Sequence, residues 1–216
     1  MAAVADEFRA AWGRWGRPRL IQVDNGSPWG SWSDLPPPLA LWLVGLGLQL
    51  RWIPPRRPQH NGVAERTHGV TQAWAEAGQC PSALELQQRI DREDVVQREK
   101  YPHRGGLPRA QVYAGLRHSG RDYDAAWERA NWSWPRVCAH LGEYAVDRRV
   151  DRSGKIGLYH DKVYVGIVLR GQGVIVQFDP RAVEWVVGDR HGRELTRRPL
   201  TQFDSDSLRA VCGGGH

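Results

Sequence analysis

Lysine is almost absent from this 216-residue chain: Lys100, Lys155 and Lys162 stand against 27 arginines. Cysteine is scarce too. Cys80, Cys138 and Cys212 are odd in number and form no CxxC pair, so neither a disulfide framework nor a zinc ribbon is indicated. Long apolar runs are missing: the longest, Leu39 to Leu48, is broken by Gly45 and Gly47 and is about half the ~20 residues a bilayer span needs. The amino terminus has no apolar core of the signal-peptide kind and carries Asp6 and Glu7, which argues against export. A reducing cytoplasm and no membrane partner are the expectation.

What remains is a globular composition, 41% hydrophobic and 25% charged with 11 tryptophans, enough for one large or two small domains. The net charge of +6 and pI near 9.6 point towards a polyanionic partner. Arginine forks onto phosphate with two donors and stacks on bases. A GC-rich genome yields the same Arg, Ala, Gly and Trp bias, so composition alone leaves that partner open.

Residues 2–15 place Val4, Phe8, Ala11, Trp12 and Trp15 at helical spacing, and Gly16 to Pro18 end the helix. Arg19 to Val23 has strand length and delivers Asp24-Asn25-Gly26 at its carboxyl end. A helix over Pro37 to Gly47 and a strand over Leu50 to Ile53 follow. Helices are predicted at Asn61 to Ala77, capped by Asn61, at Ser82 to Lys100, and briefly at Pro108 to Tyr113. Alternating strands and helices make this an α/β segment. Past residue 119, Asp122 to Val137 reads as irregular or short-helical. From Gly142 the period drops to two, and about five short strands between turns predict a small β-barrel. The tail from Ser205 is expected to be loose, and there is no internal repeat.

Asp24 sits where open α/β sheets place functional groups, just past the carboxyl end of a strand, although Asp before Asn-Gly is also an ordinary turn. Glu65 lies in Pro55-Arg-Arg-Pro-Gln-His-Asn-Gly-Val-Ala-Glu-Arg66. Phosphodiester cleavage by two divalent ions calls for hard carboxylate ligands of this kind. Asn61-Gly62 would let backbone approach phosphate at a helix start, or simply cap the helix. Arg56, Arg57 and Arg66 either neutralise phosphates or are solvated. Trp127, Trp132 and Trp134, interleaved with Arg121, Arg129 and Arg136, either stack on unpaired bases or cement the segment onto a neighbour, the second being the commoner use.

Together the strand-end Asp24-Asn-Gly and the later P-x-x-P-Q-x-N-G-x-x-E-R resemble the integrase core shared by retroviral integrases and bacterial insertion-sequence transposases. The likeness runs to about residue 116, where Leu107-Pro-Arg-Ala-Gln-Val-Tyr113 is similar to the post-catalytic TPAEVY segment of bacterial members. The resemblance implies a partial RNase H-like integrase core over residues 1–118, a linker over 119–141, an SH3-like barrel over 142–204 similar to that of Mu-type transposases, and a flexible tail over 205–216. It aligns Asp24 and Glu65 with the second and third acids of a DDE triad holding Mg²⁺ or Mn²⁺. Asn61, Gly62, Arg56, Arg57 and Arg66 would then bind DNA, and the barrel would add phosphate contacts.

In that family the first acid lies on a strand ahead of the helix that here begins at Ala2, and Asp6 and Glu7 cannot substitute from a helix. The expectation is therefore a carboxy-terminal portion of a bacterial, nucleoid-associated transposase, assembling as a homo-oligomer on DNA and inactive in strand transfer alone. Two alternatives stand beside it: a non-catalytic regulator that binds DNA or full-length transposase, and an RNase H-like nuclease without joining activity. Neither His60 and His68 nor Cys138-Ala-His140 forms a zinc set.

Overall fold

A computed structural model describes residues 2–29, 34–54 and 62–211. The protein is mixed α/β and divides into two compact units. The first comprises Met1–Ala10, Arg19–Trp52 and Asp124–His216, and the second Ala11–Pro18 and Ile53–Tyr123. The units run across the segment boundaries read from composition. No helix among the described residues is long and apolar enough to cross a membrane.

In the first unit, β1 (Leu20–Val23) and β2 (Gln49–Trp52) pair in parallel, with Leu20 opposite Gln49 and Val23 opposite Trp52. Between them runs α2 (Pro38–Gly45), which starts at Pro37-Pro38, where missing N–H groups cost nothing. Leu39, Ala40, Leu41, Trp42 and Leu43 are all buried. A helix apolar on every side needs cover on every side. That cover includes α7 (Trp134–Leu141), through Val137, Cys138 and Leu141, and α8 (Ser205–Val211), through Leu208. Gly45 permits the closest approach: a methyl group there would lie 2.4 Å from the indole nitrogen of Trp132.

Segment 119–141, expected to be a linker, thus carries α6 (Ala125–Asn131) and α7, and part of it is core. The Trp132 indole N–H donates to the Trp42 carbonyl at 3.2 Å, and its ring stacks on Trp134. The expected loose tail is ordered as α8 over its first seven residues, because the Ser207 N–H donates to the Asp204 carboxylate at 2.7 Å and Leu208 is buried.

The carboxy-terminal strands correct the barrel expectation. β3 (Ala145–Arg149), β6 (Gly173–Asp179), β7 (Glu184–Gly188) and β8 (Glu194–Pro199) form an antiparallel sheet in the order β3-β6-β7-β8. Val146, Val174, Val176, Phe178, Trp185 and Val187 line its buried face by strict alternation. β4 (Lys155–Leu158) and β5 (Asp161–Tyr164) form a separate hairpin. The sheet is not closed into a barrel: between its edge strands and the hairpin, arginine side chains rather than backbone ladders reach the carbonyls. Arg148 of β3 donates from Nε to the Gly157 carbonyl at 2.9 Å, and Arg198 of β8 donates to the Tyr164 carbonyl at 2.6 Å. The hairpin is tied to both edge strands, but through guanidinium groups.

The second unit is helical. α3 (Gly62–Ala75) packs on α4 (Ala83–Val95), whose capping residue Ser82 accepts the Glu85 N–H at 3.2 Å. The helix widens into a π turn over Val96–Lys100, where buried Gln97 donates to the Thr71 hydroxyl at 3.3 Å. α5 (Arg109–Val112) is a single turn. The end of α1 (Ala2–Trp15) is held here by Arg98, stacked 3.6 Å above Trp15 and bonded to the Leu116 carbonyl, and by Arg14 forking onto Asp91.

Candidate functional site

Asp24 follows the last residue of β1 and is exposed. The parallel β1-α2-β2 arrangement puts it at the carboxyl edge of the pair, where two adjacent strand ends open outward. One carboxylate oxygen accepts the Gly26 N–H at 2.9 Å, so Asp24 also performs the ordinary turn function of Asp before Asn-Gly. Trp29 closes the following turn by donating its N–H to the Gly26 carbonyl at 2.9 Å.

Glu65 occupies the first turn of α3 in the second unit, also exposed, where a carboxylate is favoured by the helix dipole. Gly62 opens that helix, and a methyl group there would meet nothing within 4 Å. Arg66 is exposed beside Glu65. Asn61, with its predicted capping role, and Arg56 and Arg57 lie outside the described residues. The candidates therefore fall into two sets, Asp24 in the first unit and Glu65, Gly62 and Arg66 in the second. Among the described residues no three His, Cys, Asp or Glu side chains gather as a metal-ligand group. Asp24 and Glu65 do suit Mg²⁺ or Mn²⁺ in donor chemistry: each is a solvent-facing carboxylate, and Mg²⁺ binds through one or two carboxylates while keeping waters and substrate oxygens.

Of the tryptophan and arginine segment, Trp132, Trp134, Arg121 and Arg136 make packing contacts. Trp132 is buried, Trp134 meets Phe203 edge-on at 6.5 Å, and Arg209 lies over Trp132. Arg136 donates to the carbonyls of Gly45 and Asn131, and Arg121 to that of Pro18. Cys138 is buried, which pushes its thiol pKa up, and His140 sits between Glu143 at 3.1 Å and the Tyr144 hydroxyl at 3.3 Å.

A feature that sequence reasoning missed lies at the end of the four-stranded sheet. An open cleft of about 600 Å³ is lined by Arg148, Arg149 and Arg190, with Gly171, Gly173 and Asp147 beside them. Arg148 is engaged with the Gly157 carbonyl and with Asp34 at 3.2 Å. The Arg190 guanidinium lies over Gly173, 3.2 Å from where a methyl group would stand. The signal in the sequence was Arg149 and Arg190 each near a turn glycine, but only strand register makes Arg149 the neighbour of Gly173.

Compared with models of known protein families, the chain matches none.

Proposed function

We propose that the chain is a portion of a DDE-type transposase or integrase with an RNase H-like core, acting on DNA in recombination, and that Asp24 and Glu65 are two of its metal-binding carboxylates. The observation that carries this reading is the setting of Asp24 on the carboxyl edge of a parallel β-α-β pair, followed in sequence by Glu65 in the first turn of a helix. This is the order of strand-borne and helix-borne acids in the motif resemblance. Mg²⁺ or Mn²⁺, when bound, supplies activation of the attacking oxygen and charge relief on the leaving oxygen of a phosphodiester. The chain's own part is to offer carboxylate oxygens, with the Gly26 N–H fixing one oxygen of Asp24 and leaving the other to ligate. Gly62 and Arg66 would approach phosphate at the start of α3.

The test is Mn²⁺ binding by calorimetry on the whole chain and on Asp24→Asn and Glu65→Gln. Loss of binding in each variant, with an unchanged circular dichroism spectrum, is expected. Equal binding in all three proteins overturns the metal role. Strand transfer is not expected from this chain alone. A second reading, a DNA-binding regulator without catalysis, draws on a different observation: the Arg149 and Arg190 side chains line an open cleft and make no hydrogen bond or ion pair among the described residues.

A further inference from the structure

We infer that Asn25 is a site of spontaneous covalent modification, converting to aspartate and isoaspartate through a cyclic imide, with the Asp24 carboxylate as the base that starts the reaction. The chemistry needs three groups side by side: a side-chain amide as electrophile, the next residue's backbone nitrogen as nucleophile, and an acceptor for that nitrogen's proton. Asp24-Asn25-Gly26 supplies all three. The chain has only three asparagines, Asn25, Asn61 and Asn131, and two of them precede glycine, whose missing side chain leaves the backbone nitrogen least hindered.

The fold adds the base. The Gly26 N–H donates to Asp24 Oδ1 at 2.9 Å, within the reach a general base requires. The peptide group is planar, so a carboxylate withdraws the proton in that plane while the nitrogen attacks perpendicular to it, and the bond to Asp24 leaves the attacking face open. A methyl group on Gly26 would stand 3.3 Å from the same carboxylate oxygen, tighter than ordinary contact, so glycine also keeps the base seated. Asp24, Asn25 and Gly26 are all exposed, which gives water access to the imide. Asn131 differs in each respect: it follows an alanine, precedes Trp132 at the end of α6, and donates its side-chain amide to the Trp127 carbonyl at 2.9 Å.

In the first step the Gly26 nitrogen bonds to Cγ of Asn25 as its proton passes to Asp24. The Cγ–Nδ2 bond then breaks, and ammonia leaves carrying that proton. Water opens the imide at either carbonyl, giving aspartate or isoaspartate at position 25. The sum is one water consumed and one ammonia released, with Asp24 regenerated. Two adjacent acids then stand at the end of β1, the net charge of +6 falls by one, and in the isoaspartate product the backbone beside Asp24 is longer by one methylene.

The experiment incubates the whole chain in EDTA for weeks between about pH 6 and 8, and follows residue 25 by mass spectrometry of its proteolytic peptide and by isoaspartyl methyltransferase labelling. Conversion set by an ionised carboxylate is expected to proceed at a rate flat across this range, whereas hydroxide-driven conversion climbs about tenfold per pH unit. Asp24→Ala should slow the reaction about tenfold or more at the acid end and restore the climb. Unfolding the unsubstituted chain in urea should restore the climb as well, and Gly26→Ala should nearly abolish conversion. Intact Asn25 after weeks, an unchanged rate in Asp24→Ala, or a folded-chain profile as steep as that in urea overturns the inference. Because EDTA removes divalent ions and the readout is mass, failure of the Asp24 and Glu65 metal role leaves this result untouched, and the two can fail separately.

Discussion

The two compact units are held together by different physics. The first has a continuous interior: α2 is buried from Leu39 to Leu43, and Val146, Val176, Trp185 and Val187 line the sheet beside Ile156 and Leu158 of the hairpin. The second has little that is fully buried among its described residues, chiefly Trp12, Ile53, Ala75 and Gln97, while Leu84, Leu107, Tyr101 and Tyr113 stay exposed. Its order comes from arginines: Arg98 over Trp15, Arg14 on Asp91, Arg17 on the Asp122 carbonyl and Arg89 between Glu85 and Glu76. Apolar burial is non-directional and adds up with area, whereas exposed ion pairs contribute little singly and weaken with salt. Cooperative stability therefore belongs to the first unit, and local opening to the second.

The largest way to break that contrast is to empty the first interior. Trp185→Ala, which also loses the indole bond to Gln202, should destabilise by roughly 3–5 kcal/mol in urea unfolding, by analogy with other buried aromatic truncations. Overfilling it is next: Gly45→Val should cost about 1–3 kcal/mol, because the Trp132 indole occupies the space the side chain would need. In the second unit Arg98→Ala should cost about 0.5–2 kcal/mol through the lost stack on Trp15, read as faster amide exchange over Val96–Lys100 and Ala114–Leu116 with the sheet unaffected. Raising salt to about 1 M should speed exchange in the second unit more than in the first.

The smallest expected effect is one of pH. The Asp151 carboxylate is held down to about 2, first by the Lys155 backbone N–H and then by the Ser153 hydroxyl. A depressed carboxylate stabilises the fold fully above its unfolded value near about 4, and that contribution disappears as pH falls towards 2. Asp151→Asn should flatten the acid side of the stability profile in that window, and an unchanged profile would show that the turn does not depend on the charge.

Local periodicity made much of this fold legible. The helix from Ala2, the strand ending at Val23, the helix after Pro37 and the strands through Val146, Val176 and Val187 all announce themselves by apolar spacing. β8 did not, since Glu194-Leu-Thr-Arg-Arg-Pro199 is a polar edge strand whose arginines bond to carbonyls and carboxylates. Nor did the packing of α7 and α8 against α2, because a short helix reveals which face is apolar and not what that face meets. Of the candidate site, Asp24 and Glu65 were visible as residue types at suggestive positions. The arginine cleft was not, since its members lie 41 residues apart in sequence.

By itself, then, the sequence determined residue-level chemistry and much of the local conformation: an arginine-dominated charge, strand-end and helix-start acids, and the approximate course of the segments with clear apolar periodicity. Only the tertiary structure decided that Trp132, Val137 and Cys138 of the tryptophan-rich segment are core, that the sheet stays open, and that Arg149 and Arg190 meet at one glycine. Conformational preference acts over a few neighbouring residues, whereas strand register and helix packing are set by whole faces being buried at once.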